Sequence, residues 1–375
     1  MADDATLLIG TTKGLFVRRA DGTLDGPHCP GWTINHAIGT GDTFWAAGGG
    51  PFHGAGVWRS VDGGATWTLS KLADGELDEW IRNDPETAAF FEREPAPPAP
   101  HTGAVDALWS LGRMGGALFA GGKPGALFRS DDGGASWDAV DGINAHPTRD
   151  SWNPGAAGMT LHTIVADPTD SAKGWIAISA AGVFATEDGG TTWDRRNRLS
   201  NAEGCAEHAH PAAPSGGNTG LCVHNMHRAG DGTLYQQNHH GVYRSRDDGR
   251  SWDDVTPGLP STFGFAMGVH PRDPQTIWTV PLADDMGRFP IDGAAAVWRS
   301  RDGGDSWQNC RDGLPQRGCF FTVLRQAMAV SGTDTPAVWF GTNSGSVFVS
   351  HDEGDHWSEA VRHLPTILCV EAASA

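Results

Sequence analysis

The stretch SVDGGATW, residues 60–67, returns five more times along the chain: SDDGGASW (130–137), TEDGGTTW (186–193), SRDDGRSW (245–252), SRDGGDSW (300–307) and SHDEGDHW (350–357). The shared skeleton is Ser/Thr-x-Asp-x-Gly-x-Ser/Thr-Trp, with His356 replacing the hydroxyl residue in the last copy. A short aromatic or β-branched run with strand character precedes each copy: GVWRS, ALFRS, GVFAT, GVYRS, AVWRS, SVFVS. The skeleton itself reads as a hairpin turn. Its Asp accepts hydrogen bonds from turn amides, its Gly permits positive φ, its hydroxyl bonds back to the turn, and its Trp anchors the next strand. Repetition therefore assigns Asp62, Asp132, Asp188, Asp247, Asp302 and Asp352 to the fold rather than to catalysis.

Successive copies begin 70, 56, 59, 55 and 50 residues apart. A minimal unit of about 50 residues suits a four-stranded propeller blade. With strands lettered A (innermost) to D, the repeated turn joins C to D. Six blades follow in order, with strand A in INHAIG, AVDALWSL, LHTIVADP, LCVHNMHR, FAMGVHP and FFTVLRQAM. The opening LLIGTT-KG-LFVRRADGTL reads as strands B and C plus a degraded copy of the turn without its Trp, leading into strand D, and LPTILCVEA at the C-terminus reads as a lone strand A. Together they complete a seventh blade, whose closure removes the exposed edge of a linear array. The expected fold is all-β: one seven-bladed β-propeller domain over residues 1–375.

The repeat resembles the Asp-box, or BNR repeat, found in sialidases and in propellers without sialidase activity, and the resemblance covers nearly the whole chain. It implies the propeller fold. Sialidase chemistry would require three arginines, a Tyr–Glu nucleophile pair and an Asp acid/base. This chain has two tyrosines. Tyr243 takes a strand-C core position and Tyr235 a strand-B position, while Arg59, Arg129, Arg244 and Arg299 recur beside the turns as structural residues. The Arg-Ile-Pro-type signature is absent near the N-terminus, and Arg288-Phe289-Pro290 comes late. The pattern argues against a true sialidase. Asp-box propellers also resemble photosystem II assembly factors and sortilin-type receptors, which bind proteins or peptides.

Composition narrows the partners. A net charge of −18 disfavours nucleic acid and anionic membrane surfaces. No run of residues matches a signal peptide or a membrane span. Six cysteines (29, 205, 222, 310, 319 and 369) lack a CxxC or a regular framework, which fits reduced thiols and a cytoplasmic protein.

Four insertions interrupt the blades, at about 71–103, 141–158, 197–220 and 283–296. The first has a helical middle from Glu86 to Phe91 and carries Trp80 and Phe90. Three of the insertions join strand D to the next strand A and one joins B to C, so all four emerge on one rim, opposite the repeated turns. Loops gathered on one end of a rigid scaffold are where function resides.

Aligning the expected strand-A starts gives a ring at the channel mouth: His36, Asp106, His162, His224, Phe265, Phe321, and Thr366 or Ile367. Asn238, His239 and His240 overhang it, and His101, Cys205, His208 and His210 lie on rim loops. Imidazoles with a carboxylate suit a divalent Zn, Mn, Fe, Ni or Cu ion. The expected ligands are His36, His162, His224 and Asp106, with His239, His240 and Asp106 as catalytic groups. Two functions follow. One is a metal-assisted hydrolase or lyase acting on a small polar or carbohydrate-like molecule. The other is a non-catalytic module that binds a protein partner through the rim.

Overall fold

The computed structural model describes residues 5–200, 217–332 and 336–374. These residues form seven four-stranded antiparallel sheets. Their innermost strands are Ile34–Thr40, Ala107–Met114, Thr160–Ala166, Val223–Arg228, Gly264–Val269, Met328–Val330 and Ile367–Ala372. Each touches the next around a ring, and the last returns to the first. In blade seven, Ile367–Ala372 pairs with Leu7–Thr11, which continues into Gly14–Arg18 and Leu24–His28. The N- and C-terminal segments thus close the propeller as the sequence predicts.

The repeated turns show why the skeleton recurs. In the first, Ser60 donates to Asp62 at 2.7 Å and accepts from the Gly64 amide at 2.8 Å. Asp62 in turn accepts from the Thr66 amide (2.9 Å) and hydroxyl (2.6 Å). Ser136, Thr192, Ser251 and Ser306 repeat that last bond, and His356 Nδ1 replaces it at 2.7 Å from Asp352. The residue after each Asp has positive φ, 68° at Gly63, so glycine is favoured there.

Neighbouring blades are fastened through the same turns. Trp278 Nε1 and Arg299, both in blade five, donate to the Glu353 carbonyl of blade six at 2.9 and 2.8 Å. Trp45 reaches Gly133 and Trp175 reaches Asp248 in the same manner, and Arg129 and Arg244 reach Gly189 and Gly303. This confirms the structural reading of Arg129, Arg244 and Arg299. Seven buried apolar clusters, one per blade-to-blade interface, make up the core.

Two local expectations change. The first insertion has two helices, Glu76–Asn83 and Pro85–Phe90, instead of one. Lys71 and Arg93 pair with Asp78, and Arg82 pairs with Asp74, pinning the insertion to blade one. In blade six, strand A is Met328–Val330 and not FFTVLRQAM. The earlier apolar run is used instead for packing: Val323, with Phe321 and Leu324, fills the interface with blade five. The insertions at about 71–103 and 141–158 join D to A and that at 283–296 joins B to C; most of the one at 197–220 lies outside the described residues.

Candidate functional site

Strand C carries one aromatic per blade at matched positions: Trp58, Phe128, Phe184, Tyr243, Trp298, Phe348 and Phe16. Following their cross-strand partners to strand A gives the register of the channel mouth. Two residues before the matched strand-A positions stand Asn35, Trp109, His162, His224, Phe265, Gln326 and Leu368. In six of the seven blades the A–B pairing shifts register around this position. Such bulges re-aim side chains and are frequent beside functional sites.

Of the expected ring, His162, His224 and Phe265 stand at these matched positions, and in the other blades other residues take them. His36 lies one residue past its bulge, and its Nδ1 accepts the Leu111 amide of blade two at 2.9 Å. Asp106 precedes strand A altogether and is exposed. Phe321 and Thr366 or Ile367 give way to Gln326 and Leu368. His162 holds the right position but is fully buried, with Nε2 donating to the Val223 carbonyl at 2.7 Å and Nδ1 2.9 Å from the Thr163 hydroxyl. Burial, reinforced by Arg325, pushes its pKa down to about 3. His36 and His162 are thus occupied by the protein, and the four expected ligands do not converge.

Two other constellations occupy the mouth. The first is a groove of about 420 Å³ between blades one and two, lined by Asn35, Pro51, Asp74, Asp106, Trp109 and Lys123 among others. Gly49, Gly50 and Gly54 also line it. A Cβ at Gly49 (φ 125°) would meet the Gly54 carbonyl oxygen at 1.8 Å, and one at Gly54 (φ 70°) the Ala73 carbonyl oxygen at 2.1 Å, so both positions require glycine. Trp109 is partly exposed, and Asp106 makes no ion pair among the described residues. Asp74 is held by Arg82 and accepts the Ala99 amide at 3.3 Å.

The second constellation is Cys222, His224 and His239, whose ligand atoms all lie within 4.8 Å of one another. His224 Nδ1–H donates to the Gly264 carbonyl at 2.6 Å, which leaves Nε2 3.6 Å from Cys222 Sγ. Burial, then Arg325, holds the His224 pKa well below 6.5, so its imidazole is neutral. Cys222 Sγ lies 3.1 Å from the Ser179 hydroxyl, and burial raises the thiol against the opposing pull of Ser179, Arg325 and Arg288. His239 bonds the Cys222 carbonyl through its amide at 2.9 Å, and its Nε2 is 3.6 Å from Asp285. His240 packs on His239 with ring centroids 4.8 Å apart.

Cys222 and Trp109 were missed from sequence. Trp109 sits in an A-strand bulge that no local pattern marks, and Cys222 precedes His224 by two residues in a run read only as core strand. His101 Nε2 is engaged by the Trp137 carbonyl at 2.9 Å. Cys205, His208 and His210 lie outside the described residues. Tyr235 and Tyr243 are buried, Tyr235 donating to the Pro274 carbonyl, so neither is an exposed nucleophile.

Comparison with known proteins gives no matching protein-family model. A xyloglucanase of Hypocrea jecorina is 22% identical over 244 residues, which are 64% of this chain and 25% of that protein. A Paenibacillus xyloglucanase is 25% identical over 263 residues, 62% of this chain and 22% of that protein. The chain thus spans about a quarter of the length of these curated relatives. In fold it resembles the crystal structure of a GH74 xyloglucanase from Xanthomonas campestris, with a TM-score of 0.64 and 18% identity over 96% of this chain and 53% of that one.

Proposed function

We propose that the chain is a carbohydrate-active propeller that takes a xyloglucan-type oligosaccharide into the groove between blades one and two and hydrolyses it there. The observation that carries this reading is the pairing of a partly exposed indole, Trp109, with an exposed carboxylate, Asp106, in one groove. An indole offers a flat apolar face with a polar edge, matched to a sugar ring. Glycoside hydrolysis uses two carboxyl groups flanking the scissile bond. The groove holds Asp106 and Asp74, and Asp106 is the one free to turn toward a sugar, since Arg82 restrains Asp74. Similarity to two xyloglucanases supports the substrate class. The Asp-box assignment of the repeated turns accords with this reading, and the buried free thiols of the five described cysteines support a cytoplasmic setting.

The test is release of reducing ends from xyloglucan oligosaccharides. The wild-type protein releases them, and Asp106→Asn lowers the rate by roughly 10²–10⁴-fold, the contribution of a positioned acid–base group. An unchanged rate in Asp106→Asn would refute hydrolysis in this groove. A second reading is favoured by three exposed aromatics on the first insertion, Trp80, Phe90 and Phe91. In it the rim binds a protein partner without catalysis, and the oligosaccharides are left intact by the wild-type protein.

A further inference from the structure

We infer that Cys222, His224 and His239 form a zinc-type metal site at the channel mouth, with its open coordination position directed to an anionic ligand. The donor set is a thiol and two imidazoles, the combination that suits a borderline-soft divalent ion. The ligand atoms already lie within 4.8 Å of one another, so modest side-chain movement brings all three to bonding distance. His224 is oriented for the task. Its Nδ1–H is held by the Gly264 carbonyl, which fixes the tautomer and turns the Nε2 lone pair toward Cys222. Around the other ligands, the Ser179 hydroxyl stands by the sulfur and the Asp285 carboxylate by His239. The aromatic rings of Phe263 and Phe265 wall the cluster, packing on His224 with centroids 5.3 and 4.7 Å away.

Three protein ligands leave one position of a tetrahedron open, the arrangement of reactive rather than purely structural zinc. The charges nearby decide what enters it. Arg325 and Arg288 lie over the Phe265 ring at 4.8 and 5.7 Å, and neither forms an ion pair with a carboxylate among the described residues. Among the described residues, Arg325 Nε is buried and has no hydrogen-bond partner. A divalent ion, a Cys222 thiolate, Asp285 and two guanidiniums leave a net positive charge, so the open position favours a carboxylate or phosphate oxygen over a neutral one. Metal binding releases the Cys222 proton to solvent as the sulfur–metal bond forms. This site is separate from the Trp109 groove and does not rest on the sugar reading.

The experiment is titration of untagged, chelator-treated protein with Co(II), followed by competition with Zn(II). One equivalent should bind, with a near-ultraviolet thiolate-to-cobalt band and visible bands of tetrahedral type, and zinc should displace it. Cys222→Ser should abolish the near-ultraviolet band and His239→Gln should weaken uptake at least tenfold. Trp109→Ala and Asp106→Asn should bind cobalt as the wild type does. Inorganic phosphate should perturb the visible bands in the wild type and not in Arg325→Gln. Circular dichroism of each variant separates loss of metal from loss of fold. Absence of the charge-transfer band in the folded wild type, or its survival in Cys222→Ser, would overturn the site. An equal phosphate response in Arg325→Gln would overturn the anion preference.

Discussion

His356 stands where the other five turns have Ser or Thr, and the substitution changes what the turn responds to. The hydroxyls of Thr66 and its counterparts bond their Asp at all ordinary pH values, whereas His356 bonds Asp352 through a titrating ring. The hydrogen bond that His356 donates to Asp352, followed by the carboxylate's charge, raises the imidazole above its ordinary 6.5. A pKa raised by folding adds stability that is fully present below the unfolded value and is lost as pH rises through the folded one. NMR titration should therefore find His356 protonating above pH 6.5, and the Asp352→Asn variant should return it toward that value. An unshifted His356 would show that the turn's bond does not persist in solution. At this scale the sequence was informative: six Asp and five hydroxyl residues could be placed by repetition alone. Cys222 could not, because a single thiol in a buried strand carries no pattern of its own.

Among the elements, strand A decides the site and was the hardest to read. An ordinary strand alternates its side chains, so position follows from counting. Here the bulges break the count at the residue that faces the mouth. His36 is displaced by one position, and Trp109 and Asn35 take places that counting assigns elsewhere. In blade six the misleading feature was different: an apolar run that looks like a strand packs as irregular chain at an interface. Strands B and C were legible because their aromatics recur beside the repeated turn. Their contribution can be measured. Trp278 is fully buried and also donates to Glu353 of the next blade. Trp278→Phe keeps most of the apolar contact, and Arg299 still serves the carbonyl, so urea unfolding should show a loss of about 1 kcal/mol. Trp278→Ala should cost about 3–5 kcal/mol. Equal costs for the two would mean that the indole N–H, rather than packing, dominates this interface.

The whole molecule explains why the rim can vary while the scaffold stays fixed. Seven apolar interfaces and a ring closed by Ile367–Ala372 distribute stability around the propeller, and the repeated turns fasten each blade from the opposite face. The insertions pack onto that framework, with Ile143 and Trp152 entering the interface of blades two and three, and their remaining surface builds the rim. Blade count and closure were legible, since they depend on repeats and connection lengths. The choice between the two constellations at the mouth was not, because it depends on which side chains the bulges bring together and which the backbone has already engaged. The central claim is that an oligosaccharide occupies the Trp109 groove. Calorimetric titration with a xyloglucan oligosaccharide, run in parallel on wild type and Trp109→Ala, tests it most directly. The account predicts saturable one-to-one binding that weakens at least tenfold in the variant while thermal unfolding stays unchanged. No heat in the wild type, or equal affinity in the variant, would contradict it.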